Sequence, residues 1–133
     1  MNTANRVLTS LGLLTGAVVL CIAGVDPGKL PAPAPVQGVT FDKDIKPLFE
    51  KSCVKCHGAE KQKGKYRLDS LEAALKPGES GDAVLKGDSA GSPLVHSISR
   101  LDPDIEMPPD GKADPLTPEQ VALVRAWIDQ GAK

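Results

Sequence analysis

The chain has 133 residues, 16 basic against 17 acidic side chains and a hydrophobic share of 41%. That allows at most one ordinary globular domain and excludes a multidomain enzyme, and a net charge of -1 gives no global basic field of the kind duplex nucleic acid requires, so no nucleic-acid partner is expected. All the aromatic residues, Phe41, Phe49, Tyr66 and Trp127, fall after residue 40, so residues 41–133 carry the whole aromatic core. A domain this small buries a limited share of its apolar surface and leans on a disulfide, a metal or a bound cofactor.

Residues 1–25 read as an export segment. Arg6 is the single basic residue before an uncharged run from Val7 to Val25, densest from Leu11 to Ile22, with the small residues Ala23 and Gly24 where a peptidase would cut. The same run is long enough to span a bilayer if it stays uncleaved, so a cleaved signal peptide and a retained anchor both remain open. In either case Arg6 stays inside and the rest of the chain is expected outside the cytoplasm, in a periplasm or tethered to a membrane. Cys21 raises lipidation, but Leu20 stands before it where a lipidation site has a small residue, and the plainer reading is an apolar residue of the signal.

Residues 26–40 alternate proline with small residues and read as a linker with nothing to build a core from. Extended as polyproline II, such a stretch reaches on the order of 40 Å. The spacing of Phe41, Ile45, Leu48 and Phe49 then predicts a helix over about 44–54, with Asp44 as cap and Pro47 in the first turn. Asp69-Ser70 caps a brief helix over 71–76 stopped by Pro77-Gly78, and Ser92-Pro93 opens another running to about Arg100. The clearest element is the last: Thr117, Pro118 and Gln120 form a capping box, Val121, Val124 and Ile128 make an apolar stripe, and Gly131 is a plausible C-cap. No segment alternates with period two, so residues 41–133 are expected to be one all-α domain.

Cys53-Val54-Lys55-Cys56-His57 follows the first helix. Two thiols three residues apart can add to the two vinyl groups of one haem, and the adjacent imidazole can then reach the iron as proximal ligand. A zinc site would want two further Cys or His ligands, and beyond the motif and the signal only His96 remains. A thioredoxin-like redox pair would want a βαβ context, which the pattern lacks.

Five stretches resemble the cytochrome c domain first catalogued in planctomycete proteins, itself similar to class I cytochromes c. They are Phe41 to Pro47, Cys53 to Gly58, Tyr66 to Ser70, Met107-Pro108-Pro109, and Leu116 to Glu119 running on to Trp127 and Ala132. The resemblance implies a small class I-like fold, short helices and long loops wrapped around one covalent haem c, and single-electron transfer without enzymatic activity. Members are often modules of longer proteins, so whether this chain is a carrier or a subunit stays open. The resemblance makes Met107 the expected sixth iron ligand. A thioether ligand would have to be Met107, because the other methionine, Met1, lies in the signal, and Pro108 and Pro109 stiffen the chain after it. His96 is the competitor, in an apolar helix where packing is the plainer role. Arg67, in the shared Tyr66 to Ser70 stretch, is either a partner of a haem propionate or an ion pair with Asp69. The helices that carry Phe49 and Trp127 are expected to pack together and close the pocket. Lys43, Lys46, Lys51, Lys55, Lys61, Lys63 and Lys65 surround the haem motif, as a docking face for an acidic redox partner protein or as a solvated surface. The rival functions are a haem-based sensor or peroxidase with a labile sixth ligand, and a haem-stabilised docking module.

Overall fold

A computed structural model describes residues 25–133; the signal-or-anchor expectation, Cys21 included, rests on residues outside that range. Four α-helices follow one another: α1 (Lys46–Ser52), α2 (Leu71–Ala74), α3 (Pro93–Ser99) and α4 (Pro118–Asp129). Among the described residues there is no β-strand, in agreement with the all-α expectation, and no helix is long and apolar enough to cross a membrane.

The local chemistry explains each boundary. Helical winding begins three residues earlier than the expected 44, in a wide π turn over Phe41–Ile45, because the Asp44 carboxylate accepts from the Thr40 amide at 2.8 Å and closes the turn ahead of it. Pro47, with no N–H to give to that turn, marks its junction with α1. Ser70 caps α2 by accepting from the Ala73 amide, and the helix is shorter than expected, ending at Ala74 ahead of Pro77. α4 has the full capping box, with Thr117 Oγ1 accepting from the Gln120 amide and Gln120 Oε1 accepting from the Thr117 amide. Its far end closes in a Schellman motif: the Ala132 amide reaches the Trp127 carbonyl, and the Gly131 amide the Ile128 carbonyl, with Gly131 at φ 98°.

The aromatic expectation holds in part. Phe41, Phe49 and Trp127 are fully buried and meet as a triad, with ring centroids 5.7 Å (Phe41–Trp127), 6.1 Å (Phe41–Phe49) and 6.4 Å (Phe49–Trp127) apart. The triad fixes α4 against the π turn and α1. The carbonyl of Lys133 accepts from both the Phe41 amide and Trp127 Nε1 and so ties the two ends of the domain at the same point. α3 lies against α4 through Val95 and Ile98, which are buried with Val124 and Ile128.

Residues 26–40 are not a free linker. The segment lies along α4 with Leu30 and Val39 buried, as is Val25 just before it, and its backbone is bonded at four places. Ala34 N–H reaches the Ala122 carbonyl, Val39 N–H reaches Gln130 Oε1, Gln130 Nε2 donates to the Val36 carbonyl, and Arg125 donates to the Pro31 carbonyl. The proline-rich sequence does exclude a helix, as expected, but extended backbone offers outward-facing carbonyls, and α4 supplies the donors for two of them. Buried Arg125 is the centre of this attachment: its Nε donates to Ser89 Oγ at 2.9 Å, and Ser89 Oγ donates in turn to Asp129 at 2.9 Å. Arg125→Ala should leave these acceptors unpaired and cost roughly 3 kcal/mol, a fall of about 15 °C in the melting temperature for a domain of this size, to be read by thermal unfolding of the haem-loaded protein. A chain beginning at Thr40 should melt lower than one beginning at Val25 for the same reason.

Candidate haem site

The chain leaves α1 through a tight turn that determines where the cysteines face. The Cys53 amide still donates to the Phe49 carbonyl at 2.7 Å, and the Cys53 carbonyl then accepts from both the Cys56 amide (3.0 Å) and the His57 amide (2.9 Å). Five residues are thereby curled on themselves, and Cys53, Cys56 and His57 all line one cavity of about 1300 Å³, larger than most small-ligand pockets. Gly58 is required at the exit, since a Cβ there would sit 2.5 Å from the Val54 carbonyl oxygen. The next loop is laced back onto the turn by the Lys63 amide on the Cys56 carbonyl and the Leu68 amide on the His57 carbonyl.

His57 is oriented by a partner that the sequence does not announce. Its Nδ1 lies 3.2 Å from the Tyr66 carbonyl oxygen. A carbonyl only accepts, so Nδ1 carries the proton and Nε2 is the lone-pair nitrogen. Nε2 has no hydrogen-bond partner among the described residues. Tyr66 is itself anchored by its hydroxyl, which donates to the Ala74 carbonyl at 2.8 Å. Its motif was legible in the sequence, but the participating group is the backbone carbonyl, which no side-chain pattern reports.

Met107 lines the same cavity from the opposite end of the domain sequence, together with Pro108 and Pro109, and the residue is 38% exposed. Further wall comes from Leu68, from residues 78–81 and from Pro93, Leu94, Ser97 and Ile98 of α3. α4 contributes nothing to the lining. The helices of Phe49 and Trp127 do pack together, but they form the support behind the site, and α3 is the helix that walls it. The reason is that the Trp127 face of α4 is occupied by the aromatic triad.

Arg67 stands outside the cavity lining. It forks onto Asp69, with Nε to Oδ1 at 2.9 Å and the second nitrogen to Oδ2 at 2.6 Å, and this hydrogen bonding holds the Asp69 carboxyl below its usual range. Asp69 itself lines the cavity, so the pair stands at the cavity's edge: the ion pair of the two alternatives is present, and the propionate role is a matter for haem-loaded protein. His96 is likewise outside the lining, with Nε2 2.6 Å from the Ala90 carbonyl. Of the seven lysines around the motif, Lys55, Lys61 and Lys63 line the cavity, whereas Lys51 pairs with Asp114 and Lys65 with Glu79.

Two thiols, a tautomerically fixed imidazole and a thioether around one cavity define a c-type haem-binding domain as the class of protein in view. The family model for planctomycete cytochrome C matches residues 53–111, from the first cysteine to just past the Met107 loop. That match supports a planctomycete-type cytochrome c domain over these residues, and with it haem-based electron transfer in general and haem c as the cofactor. Comparison with curated proteins and with solved structures gives no match. The donor set fits the group: Nε2 is free for iron, and both thiols share the cavity wall with it. Burial pushes the Cys53 thiol up to about 12, so an unattached Cys53 stays protonated and a weak nucleophile in the closed fold.

Burial, with nearby Cys53 adding, also raises the Tyr66 phenol above its ordinary 10.0. Below about pH 10 the phenol is protonated in both folded and unfolded chains and costs nothing; above it only the unfolded chain gains by ionising, so stability should fall as pH rises. Tyr66 is the only tyrosine, which makes phenolate absorbance a direct reporter. It should appear together with loss of the helical circular-dichroism signal, and Tyr66→Phe should flatten this alkaline decline. Phenolate forming near pH 10 in a still-folded protein would count against the burial argument.

Proposed function

We propose that the chain is an exported monohaem cytochrome c that relays single electrons and is not an enzyme. On this reading Cys53 and Cys56 hold the haem through thioethers, His57 is the proximal iron ligand and Met107 the distal one, and the short helices and long loops form a class I-like wrap. The observation that carries the reading is the convergence of Cys53, Cys56, His57 and Met107 on one cavity, with the Tyr66 carbonyl leaving Nε2 of His57 for a metal. When bound, haem supplies a one-electron couple, and a Met/His pair raises its potential because thioether sulfur favours ferrous iron. The protein's own part is to orient the imidazole, to line the cavity with Leu68, Leu94 and Ile98, and to present Lys55, Lys61 and Lys63 at its rim to an acidic redox partner protein. Export is supported by Arg6 and the apolar run after it, as a cleaved leader or a retained membrane tether, and on this reading the domain works in a periplasm or its equivalent.

Haem colour should stay with the polypeptide after denaturation and acid-acetone extraction; complete extraction would refute covalent attachment. Met107→Ala should abolish the weak sulfur-to-iron band at the red end of the oxidised spectrum, open the reduced protein to carbon monoxide and lower the reduction potential, while His96→Ala should leave all three nearly unchanged. The exposure of Met107 also favours a second reading, a sensor or peroxidase with a displaceable sixth ligand. An unmodified protein that is high-spin and takes up carbon monoxide as readily as Met107→Ala would put that reading first.

A further inference from the structure

The loop that presents Met107 has little apolar burial of its own. Leu101 and Ile105 beside it are exposed, and of the residues around the methionine only Pro108 is buried. Yet the loop is bonded to the end of α3 at four points. The Met107 amide donates to the Ser97 carbonyl at 2.9 Å. The Arg100 guanidinium makes the other three: one terminal nitrogen donates to the Pro108 carbonyl at 2.6 Å, and the other to Glu106 at 3.0 Å and Asp110 at 2.5 Å. Arg100 thus grips the residues on both sides of Met107 and one three positions beyond it. Its side chain is only 22% exposed, so these charge-assisted bonds are partly shielded from water.

The backbone of Arg100 points the same way. It is the C-cap of α3 at φ 54°, ψ 33°, a left-handed conformation that glycine adopts freely and arginine adopts at a cost. Glycine there would cap the helix better but would carry no guanidinium. We infer that Arg100 is the positioning residue for Met107: by clamping Glu106, Pro108 and Asp110 to the end of α3 it holds the methionine sulfur toward the cavity. This rests on the His57/Met107 reading and adds to it the group that determines how firmly the sixth position is occupied.

The test uses the haem-loaded protein and its Arg100→Gln variant, with carbon monoxide uptake by the reduced form as the main readout and amide hydrogen exchange over residues 105–110 as a readout independent of the iron. Arg100→Gln should take up carbon monoxide about tenfold faster than the parent, the effect of losing a charge-assisted clamp of this kind, and should lose part of the sulfur-to-iron band. Exchange should accelerate at the Met107 amide and not in α4. Arg100→Lys, which cannot fork, should restore the parent behaviour only in part. Lys76→Gln, which removes an exposed pair with Glu72, should change neither readout. Parent-like uptake and band in Arg100→Gln, or faster exchange spread through α4 without faster uptake, would overturn the inference. If the parent itself binds carbon monoxide as fast as Met107→Ala, the ligation reading fails; faster exchange confined to 105–110 in Arg100→Gln still supports the clamp, and unchanged exchange overturns it. Should Arg100→Gln fail to fold, Glu106→Gln combined with Asp110→Asn removes the charge from two of the three acceptors and must accelerate uptake in the same direction.

Discussion

A short chain that must wall a cavity of about 1300 Å³ cannot place all its core around the hollow. The contact of Phe41, Phe49 and Trp127 resolves this by concentrating the largest buried side chains behind the site. Burial of three aromatic rings supplies several kcal/mol of apolar stabilisation away from the cavity, and it fixes the direction in which α1 ends. The cysteine–histidine side of the cavity follows from that direction: Cys53 continues the hydrogen bonding of α1, the motif curls off its last turn, and the loop to Leu68 is laced onto the motif. Loosening the triad would move the cysteine turn as a unit.

The two sides of the cavity are held by different physics. On the histidine side the turn is short and saturated with backbone hydrogen bonds, and the imidazole is pinned by a carbonyl from a neighbouring extended stretch. On the methionine side the loop is long, exposed and acidic, and ionic bonds from one arginine replace burial. A side chain held this way is secured by bonds near the surface, where its neighbours can be altered without disturbing the core. The match to the planctomycete cytochrome C model spans both sides and leaves out α1 and α4, the elements that support them from behind.

The proline-rich arm changes the relation between the domain and whatever precedes it. Polyproline-like backbone is stiff and has unpaired carbonyls, so it can be docked cheaply by a helix with suitable donors. Arg125 and Gln130 are such donors, and Ser89 and Asp129 complete the buried network around Arg125. Residues 25–40 are therefore packed as part of the domain, and the docked arm cannot act as a long tether.

Much of this was legible in residues 41–133 because the signals are local. The capping box of α4, the proline that opens α3, the serine cap of α2 and the spacing of Cys53, Cys56 and His57 depend on neighbours within one or two turns, and such signals survive without knowledge of the fold. What tertiary structure alone decided involves partners far apart in sequence or groups with no side-chain signature. Arg67 is engaged by Asp69 at the edge of the cavity, a pairing that depends on how the segment packs. α3 and not α4 walls the site, because the aromatic triad occupies the α4 face. The arm is docked because α4 happens to present donors to its carbonyls, and His57 is oriented by a backbone oxygen. The sequence by itself determined which atoms could hold a haem; the fold determined which groups hold those atoms in place, because backbone carbonyls and long-range pairs acquire their partners only once the chain has closed.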